Sequence, residues 1–476
     1  QDRIDGPHWM TLEAFFGLYT VEDLAIGDSG KEFSELSQDE LVAACEAVKA
    51  AVVADDEAGT VTYTLAAPTP WFLAMMVNSF LGAVLDQEWM MEQGDWDGSC
   101  DNWVQWHDPA AEDTVIFNVA NGTGPYKLDH WTPGEEIVLV ANENYWRAEG
   151  DPIWEGGPSG VASVKNIVIK SVDEWGTRQA MFEAGDADYI YVPSQYRPQL
   201  EEEYGVICDA AGNCEEAGDG FIQAWVDLPS LAMTPAQFNH QINVEGGNPF
   251  AGSGELDGNG IPADFFQDIH IRRAFNYCFD FDAMINDALN GEGIQAQGPI
   301  IAGMMGYREG EAPMYSFDLA KCEEEFKLAE NGVWDTGFYL QMAYNTGNDT
   351  RRLASEILKA GIESVNPNFS ITVVGMPWPV LLNSRRSQKL PIYVGGWLED
   401  FHDPHNWVHP FLHSQGAYGR VVNMAPELAA EFDALVEEAA SLTTAEERRV
   451  VYEEIQLKAQ EDAPMIWLYQ GVGRVH

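Results

Sequence analysis

Between residues 337 and 397 the chain reads Gly337-Phe338-Tyr339-Leu340-Gln341-Met342-Ala343-Tyr344, then a helical pattern over 350–361, then Phe369-Ser370-Ile371-Thr372-Val373-Val374, then a second helical pattern over 378–387, and finally Pro391-Ile392-Tyr393-Val394-Gly395-Gly396-Trp397. Strand, helix, strand, helix, strand in succession is the pattern of a parallel sheet with crossover helices. It predicts an α/β fold for the second half of the chain.

Toward the C-terminus, residues 426–440 and 443–461 have the spacing of two acidic amphipathic helices, and Met465-Ile466-Trp467-Leu468 after Pro464 reads as a short buried strand. Toward the N-terminus, Ile269 to Leu289 carries one long helical pattern. Before it, residues 244–264 pack turn-formers densely (Gly246-Gly247-Asn248-Pro249, Asp257-Gly258-Asn259-Gly260), which marks the best boundary in the chain. Further back, Tyr126-Lys127-Leu128 and Ile137-Val138-Leu139-Val140 flank Pro133-Gly134 and predict a hairpin. Residues 164–170 and 188–192 predict strands, 177–184 a helix, 60–67 a strand ended by Pro68, and 96–113 a loop. Ser37 with Glu40 forms a capping-box pattern ahead of Leu41.

The chain has 476 residues, with 77 Asp+Glu against 25 Lys+Arg and a formal net charge of -52. Such a chain offers no basic face to nucleic acid. With 46% hydrophobic residues and 16 Trp it has ample material for packed cores. No apolar run approaches the roughly 18–20 residues of a membrane helix. The acid excess reads as the solvated coat of an exported protein or as salt adaptation. There are six cysteines; Cys208 and Cys214 flank a turn-forming pentapeptide and suggest a local disulfide, against the alternative of buried thiols.

No phosphate-binding glycine loop and no nucleophile elbow is present. Four of the ten histidines, His402, His405, His409 and His413, lie within residues 402–413. The last three share one helical face and suit zinc or nickel, but Pro410 should break the turn between His409 and His413. Asp400 follows an apolar strand, at the end where α/β sheets place ligands, and a carboxylate beside Trp397 can hold an ammonium group. Asp403, directly before Pro404, reads as a helix cap.

Several segments together resemble the extracytoplasmic solute-binding proteins of ABC transporters, in the peptide-binding class. They are Gly122-Thr123-Gly124-Pro125-Tyr126 with Pro133-Gly134 and Asn142-Glu143-Asn144-Tyr145-Trp146; Gly185-Asp186-Ala187-Asp188; Asp268-Ile269-His270-Ile271-Arg272-Arg273-Ala274-Phe275; and Tyr344-Asn345-Thr346 with Gly395-Gly396-Trp397, Asp400 and Asp403-Pro404. The resemblance implies a two-lobed periplasmic-binding-protein-like α/β fold with a hinge of two crossing segments. Residues 1–243 would form lobe I, 244–463 lobe II, and 464–476 would return to lobe I. The crossings are expected near Phe238-Asn239 and Met465-Trp467. A signal or lipoprotein segment, the one route to the membrane, and the first strands of lobe I would precede Gln1.

The resemblance further implies that Asp400 receives a peptide's α-ammonium, with Trp397, Tyr344, Asn345, Thr346 and Phe401 around the ligand. The chain departs from dipeptide binders in having no Arg near Tyr344 for the ligand carboxylate. The expected function is capture of oligopeptides or similar solutes outside the cytoplasm for a permease, by a monomer, without catalysis, metal or cofactor. Oligosaccharide or metal-chelate receptors are alternatives of the same fold. A metal-dependent hydrolase using the His402–His413 cluster is the alternative from another class.

Overall fold

The computed structural model describes residues 8–77, 81–147, 150–151, 162–193, 196–208, 213–216, 218, 222–228 and 230–475. The chain divides into two compact units, one of Gln1–Ala67 with Met76–Ala187 and one of Pro68–Met75 with Asp188–His476.

In the first unit the Ser37 capping box forms as the sequence predicts. The Glu40 N–H donates to Ser37 Oγ at 3.4 Å, and the Ser37 N–H donates to the Glu40 carboxylate at 2.7 Å. The helix Gln38–Ala51 it starts runs into strand β1 (Val52–Asp55), which pairs antiparallel with β2 (Thr60–Tyr63). The predicted strand over 60–67 therefore stops at Tyr63. Strands β3 (Tyr126–Thr132), β4 (Glu136–Ala141) and β5 (Asn166–Lys170) form an antiparallel meander, and the helix Trp175–Glu183 follows. The β3–β4 turn closes where the Glu135 N–H donates to the Thr132 carbonyl at 3.0 Å, with Gly134 at φ 79°. The predicted loop over 96–113 contains two short 3-10 turns, Trp103–Trp106 and Ala111–Asp113. Its first part is tied down by the Cys45–Cys100 disulfide and by Trp103 Nε1 donating to the Leu41 carbonyl at 2.9 Å.

The second unit holds β6 (Gly205–Cys208), β7 (Cys214–Glu216), β8 (Ile222–Leu228), β9 (Ala232–Phe238), β10 (Gly293–Gln295), β11 (Phe338–Asn345), β12 (Phe369–Met376), β13 (Ile392–Val394), β14 (Trp397–Leu398), β15 (Met465–Gly471) and β16 (Gly473–Val475). A four-stranded sheet has the order β16-β8-β6-β7. A mixed seven-stranded sheet runs β10-β15-β9-β13-β11-β12, with β14 also paired to β9. Within it β12 and β13 both lie parallel to β11, as the βα alternation predicts, and the register carries Phe338 opposite Phe369 through to Asn345 opposite Met376.

This sheet is buried on both faces, and strand alternation decides which core each side chain joins. Phe338, Leu340, Ile392, Ile466 and Leu468 enter one core with Phe238, Phe266, Phe275 and Phe326. Met233, Ala343, Tyr393, Met465 and Trp467 enter the other with Trp407, Phe411 and Tyr452. Each fully buried side chain of this size contributes roughly 1.5–3 kcal/mol.

Several expectations change in the folded chain. The division falls at 187/188 rather than at 243/244, because β9 pairs with both β13 and β15 and fuses residues 188–243 to the second half. The two segments read as crossings do lie side by side: Met465 pairs with Gln237 and Ile466 with Ala236. Phe238, Met465 and Trp467, however, are core residues, and Asn239 is buried at the end of β9. Residues 188–192 alternate, with Ile190 and Val192 buried and Tyr189 and Tyr191 exposed, but they join no ladder among the described residues. The long helix over 269–289 breaks after Tyr277. Cys278 is bridged to Cys322, and Asp280 accepts the Ala283 N–H at 2.9 Å, opening a separate π-helical turn over Ala283–Ala288. Cys208 and Cys214 form the expected local disulfide; the turn residues 209–212 lie outside the described residues.

Candidate functional site

The residues singled out in the sequence gather at the C-terminal ends of the parallel strands, where side chains on neighbouring strand ends converge. Tyr344 and Asn345 end β11, and the Thr346 N–H donates to the Met376 carbonyl at the end of β12 at 2.9 Å. Tyr344 and Thr346 lie over Gly375 of β12: a Cβ there would meet the Tyr344 hydroxyl at 2.9 Å and the Thr346 methyl at 3.1 Å. A side chain at 375 would make the Tyr344 ring end and the Thr346 methyl shift. Trp397 stands on β14, its ring edge-on to Tyr418 at 5.6 Å.

Asp400 follows β14 and is half-buried. Its neighbour in space is Asn406, fully buried in the helix His405–Leu412. Asn406 Oδ1 accepts the Asp400 N–H at 2.8 Å and Trp397 Nε1 at 3.3 Å, while its Nδ2 donates to Asp400 Oδ2 at 3.1 Å. One amide therefore fixes both the indole and the carboxylate. Burial raises the Asp400 carboxyl above its ordinary value; the Asn406 hydrogen bond opposes this and the nearby Glu399 charge adds to it. Such a carboxylate gains from a cation placed against it. Phe401, expected around the ligand, is 4% exposed.

Asp403 caps the following helix as predicted, accepting the His405 N–H at 2.9 Å. It also forms a buried bidentate pair with Arg448, at 2.8 and 2.7 Å. The sequence reading missed this pair, because Arg448 sits in a helix whose pattern is mostly acidic and solvated. Asn406 was missed because an Asn in a helix has no local signal of burial.

Pro410 does not break the histidine segment. The helix passes through it, and His409 stacks on His413 at 4.6 Å and lies 5.2 Å from His405. An interior proline costs about 3 kcal/mol. Full burial of Trp407, Val408, Phe411 and Leu412, at roughly 1.5–3 kcal/mol each, outweighs that cost. The three rings are buried, whereas the His402 side chain is 66% exposed. Among the described residues no group of three or more His, Cys, Asp or Glu side chains is arranged to hold a metal ion. His405, His409 and His413 are buried in the protein, and no observation here supports the hydrolase alternative.

Burial pushes the imidazole of His409 well below its ordinary value, with His405, His413 and Arg420 adding to the effect. It pushes His240 down to about 3, aided by Arg272 and opposed by the Pro464 carbonyl. Below pH 6.5 the unfolded chain then binds protons that the folded one refuses, so stability present above that pH is lost as pH falls. Urea unfolding between pH 7.5 and 5.5 is expected to show stability falling below pH 6.5 with a limiting slope of about 1.4 kcal/mol per pH unit for each of the two histidines. His409→Phe should roughly halve that slope, and an unchanged slope would show that His409 titrates normally.

A cleft of about 200 Å³ opens beside these strand ends, lined among others by Thr234, Asn348, Arg351 and Tyr469.

Comparison with known proteins places this chain in a family. The profile of the bacterial extracellular solute-binding proteins, family 5, matches residues 19–419. The heme-binding protein A of Haemophilus influenzae is 26% identical over 355 residues, covering 74% of this chain and 55% of that protein. The probable D,D-dipeptide-binding periplasmic protein DdpA of Escherichia coli is 24% identical, covering 76% and 59% respectively. The chain thus spans little more than half the length of these relatives. The periplasmic binding protein DppA of Helicobacter pylori, solved with the peptide STSA, shares the fold with a TM-score of 0.66 at 18% identity, over 96% of this chain and 76% of that one. The match over most of its length shows that this chain belongs to family 5 of the bacterial extracellular solute-binding proteins.

Proposed function

We propose that the protein captures oligopeptides outside the cytoplasm and delivers them to the permease of an ABC transporter. The observation that carries this reading is the half-buried Asp400 carboxylate, held with the Trp397 indole by the buried Asn406. A peptide's α-ammonium against Asp400 gains a charge-assisted hydrogen bond together with the adjoining ring face. A net charge of -52 makes the whole field favour a cationic group there. Three disulfides, Cys45–Cys100, Cys208–Cys214 and Cys278–Cys322, support an oxidising compartment. Among the described residues no helix is long and apolar enough to cross a membrane. Relatives described as binding peptides support the same reading.

The test is thermal shift against tri- to pentapeptides, with their N-acetylated forms and the Asp400→Asn variant. Stabilisation by free peptides is expected. Acetylation or the variant should each weaken binding about tenfold to a hundredfold, the value of a hydrogen bond to a charged group. Equal stabilisation by free and acetylated peptides would remove Asp400 as the ammonium anchor. No stabilisation by any peptide would sink the peptide reading.

A further inference from the structure

Three of the 16 Trp converge on one cavity of the first unit. Trp96, Trp103 and Trp106 wall a space of about 180 Å³, closed further by Val21, Val48 and the Cys45 end of the Cys45–Cys100 disulfide. Asp400 and Trp397 belong to the second unit, so this cavity is no part of the site described above.

Its walls are fixed by bonds that do not involve a ligand. Trp103 is buried in a small core with Cys45 and Cys100, with the Phe33 ring edge-on at 6.2 Å, and its Nε1 donates to the Leu41 carbonyl at 2.9 Å. Trp96 Nε1 donates to the Ser99 carbonyl at 2.9 Å and to Asn102 Oδ1 at 3.2 Å. Both indole N–H groups are thus spent inside the protein, and these two walls offer ring carbon rather than donors. Of the lining residues Lys49 alone carries a charge. Its Nζ donates to the Gly98 carbonyl at 3.0 Å, and no carboxylate of the described residues lies within 4 Å of it. An ammonium has further N–H donors beyond that one bond.

We propose that this cavity is a second binding site, for a small aromatic carboxylate: its ring lies among the three indoles and its carboxylate meets the Lys49 ammonium. Size sets the ring count, since an apolar cavity of about 150 Å³ holds one benzene molecule. Indole faces prefer an aromatic ring in an offset or edge-on arrangement. A sugar would need several polar partners, and the spent Trp96 and Trp103 N–H groups do not supply them. A cage of indoles alone would also attract a cation, but Lys49 repels one and reverses the preference. The acidity of the whole chain does not override this contact, because charges beyond about 8 Å are screened at physiological salt. The site does not depend on the peptide-capture reading.

The experiment titrates phenylacetate, benzyl alcohol, benzylamine and acetate by calorimetry and ligand-observed NMR into the wild-type protein, Lys49→Gln and Val48→Trp. Phenylacetate is expected to bind wild type about tenfold more tightly than benzylamine, the value of one hydrogen bond to a charged group, with benzyl alcohol between them and acetate not binding. Lys49→Gln should bring the three aromatic probes to similar affinity. Val48 is 38% exposed, so a Trp there fills the cavity from its open side, and phenylacetate binding should fall about tenfold or more. Trp106→Leu, at a half-buried wall, replaces that variant if it does not fold. The wild-type order of probes stands without either variant. Equal binding of phenylacetate and benzylamine, binding that survives Val48→Trp, or no binding of any aromatic probe overturns the site. So does a dimer in light scattering that Val48→Trp dissociates, since a second copy would then fill the cavity. Thermal shift with peptides on wild type and Val48→Trp reads the Asp400 site separately, so either proposal can fail without the other.

Discussion

Asp403→Ala is expected to destabilise the protein by about 3–5 kcal/mol, a large share of the roughly 5–15 kcal/mol that typical domains possess. The two side chains of the Asp403–Arg448 pair are 10% and 5% exposed. Arg448 Nη2 also reaches the Tyr452 hydroxyl at 3.0 Å, and its guanidinium lies 5.6 Å from the Trp71 ring centroid. Trp71 in turn stacks on His405 at 4.1 Å. Removing the carboxylate leaves a guanidinium buried without its counter-charge, which is the costly state, and it uncaps the helix His405–Leu412 as well. The double variant Asp403→Leu/Arg448→Met should recover most of the loss, because no uncompensated charge then remains. Urea unfolding at pH 7 measures both, urea being chosen because it does not screen the pair. A loss below about 1 kcal/mol in the single variant would mean that water reaches Arg448 and the pair behaves as a surface one.

Removing the Cys278–Cys322 bridge should cost a similar amount. It joins the end of the helix Ile269–Tyr277 to the helix Leu319–Leu328 across 44 residues, inside the phenylalanine core. Loop-closure entropy for that span is about 4 kcal/mol, against about 2 kcal/mol for the 6-residue span of Cys208–Cys214. The double variants Cys278→Ala/Cys322→Ala and Cys208→Ser/Cys214→Ser, compared by urea unfolding, are therefore expected to rank in that order. Peptide mapping without reductant checks the pairings themselves. Equal losses would show that native-state packing, and not the closed loop, sets the contribution.

Elements whose energetics are local are legible in the sequence. The Ser37 cap, the Pro133-Gly134 hairpin and the alternation from β11 to β13 depend on turn chemistry and side-chain period within a few residues. The strand-end position of Asp400 follows from that alternation, and so does its nearness to Trp397. The linear sequence was also enough to pair Cys208 with Cys214, because the chain between them is short.

The remainder depended on partners far away in the chain. Residues 188–192 alternate like a strand but found no ladder, because pairing needs a neighbour that the alternation cannot supply. β9 joined the second half through β15, which lies more than 200 residues on, and moved the boundary with it. Pro410 stayed helical because burial of four apolar side chains exceeds its local penalty. Asp403 and Asn406 found their partners in Arg448 and Asp400, and neither pairing is encoded in spacing. The sequence by itself determined the α/β class, the hairpins, the caps and the edge of the sheet where a ligand anchor should lie. Only the tertiary structure decided which charges are paired, because charge pairing depends on distances of a few ångströms between groups that the chain brings together only when it folds.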